Sequence, residues 1–375
     1  MDAQRKGIST ATGLAAALVG GAAIAGAGFA GRSAVQRSRA YAVTAAEDVH
    51  VFPFTADKVV AVRASDGLVL HVEIDEPDGW AAAGGPTVVL VHGFVLNLSS
   101  WMFQRRALVD AGYRVVSYDQ RNHGASQVGD LAHCTIDQLG KDLRAVVDAT
   151  TPQGQIVLVG HSMGGMTIMS FAQRYPDVTR DRVAGAALIA TSAGGDSLLQ
   201  LGLGQTFDRI IARLGPGFLG GLGELEGLWG GLRAAGRGVE NYFVQRYAFG
   251  TEMPKETLRK VATMAFGTRL DTIGAFLPEL DDLDVREALP GLVETPVLIV
   301  AGSKDILTPP AHSQALAEAL PAAELIVVPG VGHLLQIERP GPVTHAILAL
   351  LQRPLGHDAE RDAERAKGAV RERIA

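Results

Sequence analysis

Residues 156–171, IVLVGHSMGGMTIMSF, set one serine between two glycines, after an apolar run and before a helical one. With 45 Gly in 375 residues, a stray G-x-S-x-G is expected in roughly one such chain in five, so the pentapeptide carries little alone. Its flanks carry more. IVLV has the pattern of a buried strand and MTIMSFAQRY that of a helix, so Ser162 falls on a strand-to-helix turn. So tight a turn strains the serine backbone and lifts Oγ clear of the sheet, while Gly160 and Gly164 keep strand and helix from colliding. A helix start can also use a serine merely as a cap. The two readings differ in what else the chain must supply.

A hydroxyl is a poor nucleophile until a base takes its proton, and the base needs a carboxylate to orient it. In VLIVAGSKDILTPP, Asp305 follows a strand; in LIVVPGVGHLLQIERP, His333 follows the next one. In a parallel sheet both would open on the same edge as Ser162. In VVLVHGFVLN, His92-Gly93-Phe94 follows a further strand. The N–H of Phe94, beside that of Met163, would hold the oxyanion of a tetrahedral intermediate, helped by the dipole of the helix that Ser162 opens. The remaining candidates read as supports. His123 in DQRNHGAS holds the loop after its strand, His161 points away from the substrate, and His92 shapes the Phe94 loop. The Met163 side chain is expected to line the pocket, and Cys134 to be inert. This chemistry calls for no cofactor and no metal.

Elements able to position such residues recur along the chain. KVVAVRA and LVLHVEI, with SDG between them, read as a hairpin. TVVLV (87–91), RVVSY (114–118), IVLV (156–159), VAGAALIA (183–190), PVLIV (296–300) and ELIVV (324–328) are apolar on both faces, as strands of a covered parallel sheet are. Between them lie helical patterns such as TIDQLGKDLRAVVDAT (135–150), with Thr135 placed to cap. Together they make an α/β fold. The rhythm stops between Ala193 and Leu289, where helix-like pieces (LGQTFDRIIARL, ENYFVQRYAF, PKETLRKVATMAFGT) predict a helical insertion over the sheet.

At this point the chain closely resembles the α/β-hydrolase family, from about Val59 to Leu351 and including that family's helical cap. The matching motifs are HGF (92–94), DQRNHGAS (119–126), GHSMGG (160–165), GSKDILTP (302–309) and GHLLQIERP (332–340). The resemblance implies a mostly parallel central sheet, Ser162 as nucleophile, Asp305 as orienting acid, His333 as general base, and Phe94 and Met163 N–H groups as oxyanion hole. The implied division is a core at 46–193 and 290–352 with a cap at 194–289. Epoxide hydrolases and haloalkane dehalogenases of this fold use an aspartate at the elbow, which a serine disfavours. Ester, thioester or amide hydrolysis, acyl transfer, carbon–carbon hydrolysis and cofactor-free perhydrolysis stay open, as does a silent scaffold. DSLLQLGLGQTF, LGPGFLGGLGELEGLWGGL and NYFVQRYAFG give the cap a lining rich in Leu, Phe and Gly. Such a lining suits an apolar acyl or alcohol group, and hence a small-molecule ester or lipid substrate.

Composition sets the outer bounds. Hydrophobic residues at 47% and charged residues at 20% allow a large core. A net charge of −6 argues against a nucleic-acid partner, and a single cysteine excludes a disulfide framework or cysteine-rich zinc site. The ends differ from the middle. From Lys6 to Arg32 the chain is uncharged, mostly Ala and Gly, and long enough to cross a bilayer as a helix. A cleaved signal, a cytoplasmic chain with an ordinary leader, and an uncleaved anchor all fit 1–45. Arg32, Arg37 and Arg39 stand where a cleavage region is usually uncharged, which favours an anchor at 8–31 and a membrane-associated protein. Residues 353–375 read as a charged solvated tail.

Overall fold

The computed structural model describes residues 55–195 and 237–353. The expected anchor at 8–31, the cap segment at 196–236 and the tail beyond 353 lie outside them. Among the described residues, no helix is long and apolar enough to cross a membrane.

Eight strands form one sheet: β1 (Lys58–Arg63), β2 (Val69–Asp75), β3 (Thr87–Val91), β4 (Val115–Tyr118), β5 (Ile156–His161), β6 (Val183–Ile189), β7 (Val297–Gly302) and β8 (Glu324–Val328). Their spatial order is β1-β2-β4-β3-β5-β6-β7-β8. The first two pair antiparallel and β2 joins β4 antiparallel; the remaining pairs are parallel. Every residue of β3, β4, β5, β6 and β7 is buried, which is why these strands read as continuous apolar runs rather than alternating ones.

The helices are α1 (Trp80–Ala83), α2 (Met102–Asp110), α3 (Ile136–Thr150), α4 (Met163–Arg174), α5 (Pro176–Arg182), α6 (Arg237–Ala248), α7 (Lys255–Gly267), α8 (Leu270–Asp281), α9 (Pro310–Ala319), α10 (Leu335–Glu338) and α11 (Pro340–Leu351). Strand alternation sorts the core into two layers. Val89, Val91 and Leu158 face one side with Leu143 of α3 and Ile168 of α4. Val88, Leu90 and Val157 face the other with Leu108 of α2 and Ile347 of α11. Thr135 caps α3 as expected, its hydroxyl accepting from the N–H of Gln138 at 3.1 Å.

Parallel pairing sends the ends of β3, β5, β6, β7 and β8 to one edge. The chain leaves β3 toward β4 on one side, while β5 leads to β6 on the other. The loops after β3 and β5 therefore flank the point where the strand order turns, where a crevice opens. Helices α6, α7 and α8 come from the interval between β6 and β7. The two ends of that interval are tied together: Gly194 pairs with Asp284, and the N–H of Val285 donates to Ala193 O at 2.8 Å.

Candidate active site

Ser162 joins β5 to α4 with φ 52° and ψ −120°, left-handed backbone that costs a non-glycine residue about 1–3 kcal/mol. Hydrogen bonds on both sides of the peptide hold it there. Its N–H donates to Ile189 O at 2.9 Å, and its carbonyl accepts the Thr191 hydroxyl at 2.7 Å and the Gly165 N–H at 2.8 Å. The flanking glycines are sterically required. A Cβ at Gly160 would lie 2.5 Å from Gly164 O, and one at Gly164 would lie 2.2 Å from Val91 O. A serine acting only as a helix cap would bond a backbone N–H of the first turn; Ser162 makes no such side-chain bond.

Asp305 lies beyond the end of β7 and His333 beyond the end of β8. Nδ1–H of His333 donates to Asp305 Oδ2 at 2.8 Å, with both side chains buried. The carboxylate is otherwise saturated. Oδ1 accepts the N–H groups of Leu307 at 2.8 Å and Thr308 at 2.9 Å, and Oδ2 also accepts the Thr308 hydroxyl at 2.8 Å. Burial alone would raise its pKa. The attraction and hydrogen bond of His333, with the Thr308 donors, outweigh burial and hold the carboxyl below its ordinary value. With Nδ1 facing Asp305 and Thr308, Nε2 is the ring atom available to take a proton.

The loop after β3 lies against the elbow: a Cβ on Gly93 would fall 3.2 Å from Ser162 Cβ. Val95 of this loop is itself left-handed, with φ 54°, and its N–H donates to His123 Nε2 at 3.3 Å. Among the described residues, the N–H groups of Phe94 and Met163 donate to no protein acceptor. Both stay available to an incoming oxygen.

The other histidines brace the backbone around the site. His123 braces the Phe94 loop through Val95, and Nδ1–H donates to Arg121 O at 2.8 Å. His92 accepts the Gln120 N–H at Nε2 and donates Nδ1–H to Gly93 O. His161 donates Nε2–H to the carbonyl of His333 at 3.0 Å, its ring centroid 4.8 Å from that imidazole. Burial pulls all three pKa values down, to about 4 for His92 and about 3 for His123 and His161, the last also repelled by His333. They are neutral at pH 7. The Met163 side chain is fully buried, in the core cluster that also holds Phe276 and has Phe94 packed against it. Burial raises the Cys134 thiol pKa, which keeps it protonated and unreactive. Among the described residues no His, Cys, Asp or Glu cluster could hold a metal.

A serine on a strained elbow and a buried Asp–His pair, all beyond the same ends of parallel strands, define a hydrolase-like site. Residues 86–340 match the family model for the alpha/beta hydrolase fold, and the chain belongs to that family. It is 28% identical to a thermophilic esterase from Thermogutta terrifontis, with a TM-score of 0.60 over 79% of this chain and 98% of that one. It is 27% identical to epoxide hydrolase A of Mycobacterium tuberculosis over 76% of this chain and 95% of that one. It is 30% identical to the dihydrolipoyllysine-residue acetyltransferase component of an acetoin cleaving system from Pseudomonas putida, over 72% of this chain. Of that last relative it spans only 64%.

Proposed function

We propose that the protein hydrolyses carboxylic esters of lipophilic substrates through an acyl-enzyme on Ser162. The observation that carries the reading is Ser162 on the elbow with the Asp305–His333 pair on the same sheet edge. His333 Nε2 takes the Ser162 proton as Oγ attacks the ester carbonyl, and the Phe94 and Met163 N–H groups receive the oxyanion. His333 then returns the proton to the departing alkoxide; a water activated by the same imidazole releases the acid. The esterase relative fits this sequence of steps. The epoxide hydrolase relative shares the fold, but epoxide opening in that family begins with a carboxylate at the elbow, where this chain has a hydroxyl.

The lipophilic preference draws on the apolar cluster beside the site. Leu96 follows the Phe94 loop and Leu334 follows His333, and both pack with Val244, Phe249 and Leu258 of the inserted helices. A p-nitrophenyl ester series from acetate to palmitate tests the proposal: kcat/KM should climb with chain length through the medium acyls. No turnover of any ester would end the esterase reading, and peracid formation from acetate and peroxide would replace it with perhydrolysis. We further propose that residues 8–31 tether the enzyme to a membrane. Full-length protein should pellet with membranes through a high-salt wash, whereas a chain starting near Ala46 should stay soluble and active. Full-length protein with an intact N-terminus in the supernatant would refute the tether.

A further inference from the structure

Glu338, at the end of α10, is 2% exposed, and four donors converge on its carboxylate. Oε2 accepts the N–H of Gly332 at 2.8 Å and that of Gly250 at 3.0 Å. Oε1 accepts the N–H of Thr251 at 2.7 Å and its hydroxyl at 2.6 Å. All four donors are neutral, so this is not an ion pair; the charge is spread over oriented dipoles, as in an anion site. One donor belongs to the residue before His333. The other three belong to the segment leaving α6.

The same two segments are joined again beside the carboxylate. The N–H of Leu334 donates to Ala248 O at 2.9 Å, and Lys304 Nζ reaches Gly250 O at 3.3 Å. Their backbones touch: a Cβ on Gly332 would fall 2.6 Å from Gly250 N, and one on Gly250 would fall 2.5 Å from Gly330 O. The residues on either side of His333 are therefore held, one through Glu338 and one directly, by the stretch 248–251 of the inserted helices. His333's own carbonyl is held by His161.

We infer that Glu338 is a positioning residue that fixes the His333 loop to the inserted helices, so that the placement of the base depends on residues 250–251. The inference rests on the triad reading above. Catalytic geometry tolerates little error: a misplacement of about 1 Å costs about 100-fold. Glu338→Gln keeps the shape and offers one oxygen instead of two. With that oxygen kept on Gly332 and Gly250, the amide NH2 faces the Thr251 N–H, so the Thr251 half of the link to the inserted segment is lost while the Gly250 half remains.

The experiment compares wild type, Glu338→Gln and Thr251→Val on p-nitrophenyl butyrate, with reactive serines counted by a fluorophosphonate titrant. Expressing kcat per titrated serine removes any misfolded fraction. The expected result is a fall in per-site kcat of about 10- to 100-fold for Glu338→Gln, with KM within about twofold. Thr251→Val, which removes the hydroxyl donor and keeps the Thr251 N–H on the carboxylate, should fall in the same direction by less. Unchanged per-site kcat in both variants, whatever their thermal stability, would overturn the inference and leave Glu338 a purely structural group. A wild type that neither turns over the ester nor takes up the titrant would instead bring down the triad reading, and the inference with it.

Discussion

Asp305→Asn is the most incisive perturbation of the site, because the surrounding donors dictate how the amide must sit. Oδ1 accepts two backbone N–H groups, from Leu307 and Thr308. Turning an NH2 toward them would leave both buried N–H groups unpaired, at about 1–3 kcal/mol each. The asparagine oxygen therefore takes the Oδ1 place and its NH2 takes that of Oδ2, where the Thr308 hydroxyl can rotate to accept. His333 Nδ1 has no such freedom. It must become an acceptor, which moves the ring proton to Nε2 and blocks uptake of the serine proton. Restoring the productive tautomer requires the flip, roughly 2–6 kcal/mol, and the charge-assisted bond to imidazolium is lost for about 1 kcal/mol more. At 1.36 kcal/mol per decade, kcat should fall about 10²- to 10⁵-fold, which brackets the loss of about 10⁴-fold seen when another triad is altered this way. The assay is p-nitrophenyl butyrate hydrolysis by protein with wild-type circular dichroism and thermal unfolding. Activity within about tenfold of wild type would mean that Asp305 does not set the tautomer.

Ser162→Ala and His333→Ala should each cost about 10⁶-fold in kcat, more than Asp305→Asn, since nucleophile and base act as a unit; most of the activity surviving in either would remove the mechanism. Gly164→Ala drives a methyl against the Val91 and His92 carbonyls, backbone atoms that cannot rotate aside, and should cost about 3 kcal/mol or more; a wild-type melting temperature would refute the close approach. Stability should fall with acid in a defined window. His92, His123 and His161 have folded pKa values depressed below the ordinary imidazole value of about 6.5, so the unfolded chain takes up protons first. Each then withdraws about 1.4 kcal/mol of stability per pH unit below about 6.5 until its folded pKa is reached. Calorimetry at pH 7 and pH 5 should show a melting temperature lower by roughly 5–10 °C at pH 5. Equal values would show that these histidines already carry charge in the fold.

Strands were the most legible feature of the sequence. TVVLV matches β3 residue for residue, because burial on both faces leaves an unbroken apolar run, and ELIVV matches β8 although that edge strand is only partly buried. Ser162, Asp305 and His333 were legible as candidates for a related reason: each stands within a few residues of the end of such a run, where a parallel sheet collects its loops. What the sequence left out depends on contacts between distant segments. Thr308 offers a hydroxyl near Asp305 in DILTP, but nothing in that string says it donates to the carboxylate rather than to solvent. The pairing of Glu338 with Gly250 and Thr251 spans nearly ninety positions, and no periodicity encodes it. Helix α8, with Pro278 inside it, falls within the expected helical insertion but matches none of the segments singled out for it. In NYFVQRYAFG only part of the lining reading finds support: Val244 and Phe249 are buried, whereas Tyr242 is 65% exposed and Phe243 39%.

The tie between the two ends of the inserted interval bears on how such an enzyme can change. Since Ala193 and Val285 are hydrogen-bonded and Gly194 pairs with Asp284, the inserted interval begins and ends at one place on the sheet. Exchange of that cassette for another, by recombination or by design, would leave the register of β6 and β7 untouched. The grafted piece would have to meet a narrow joining requirement: two N–H groups and a hydroxyl offered to Glu338, and a carbonyl offered to Leu334. Any segment meeting it can bring a new substrate surface to an unchanged nucleophile.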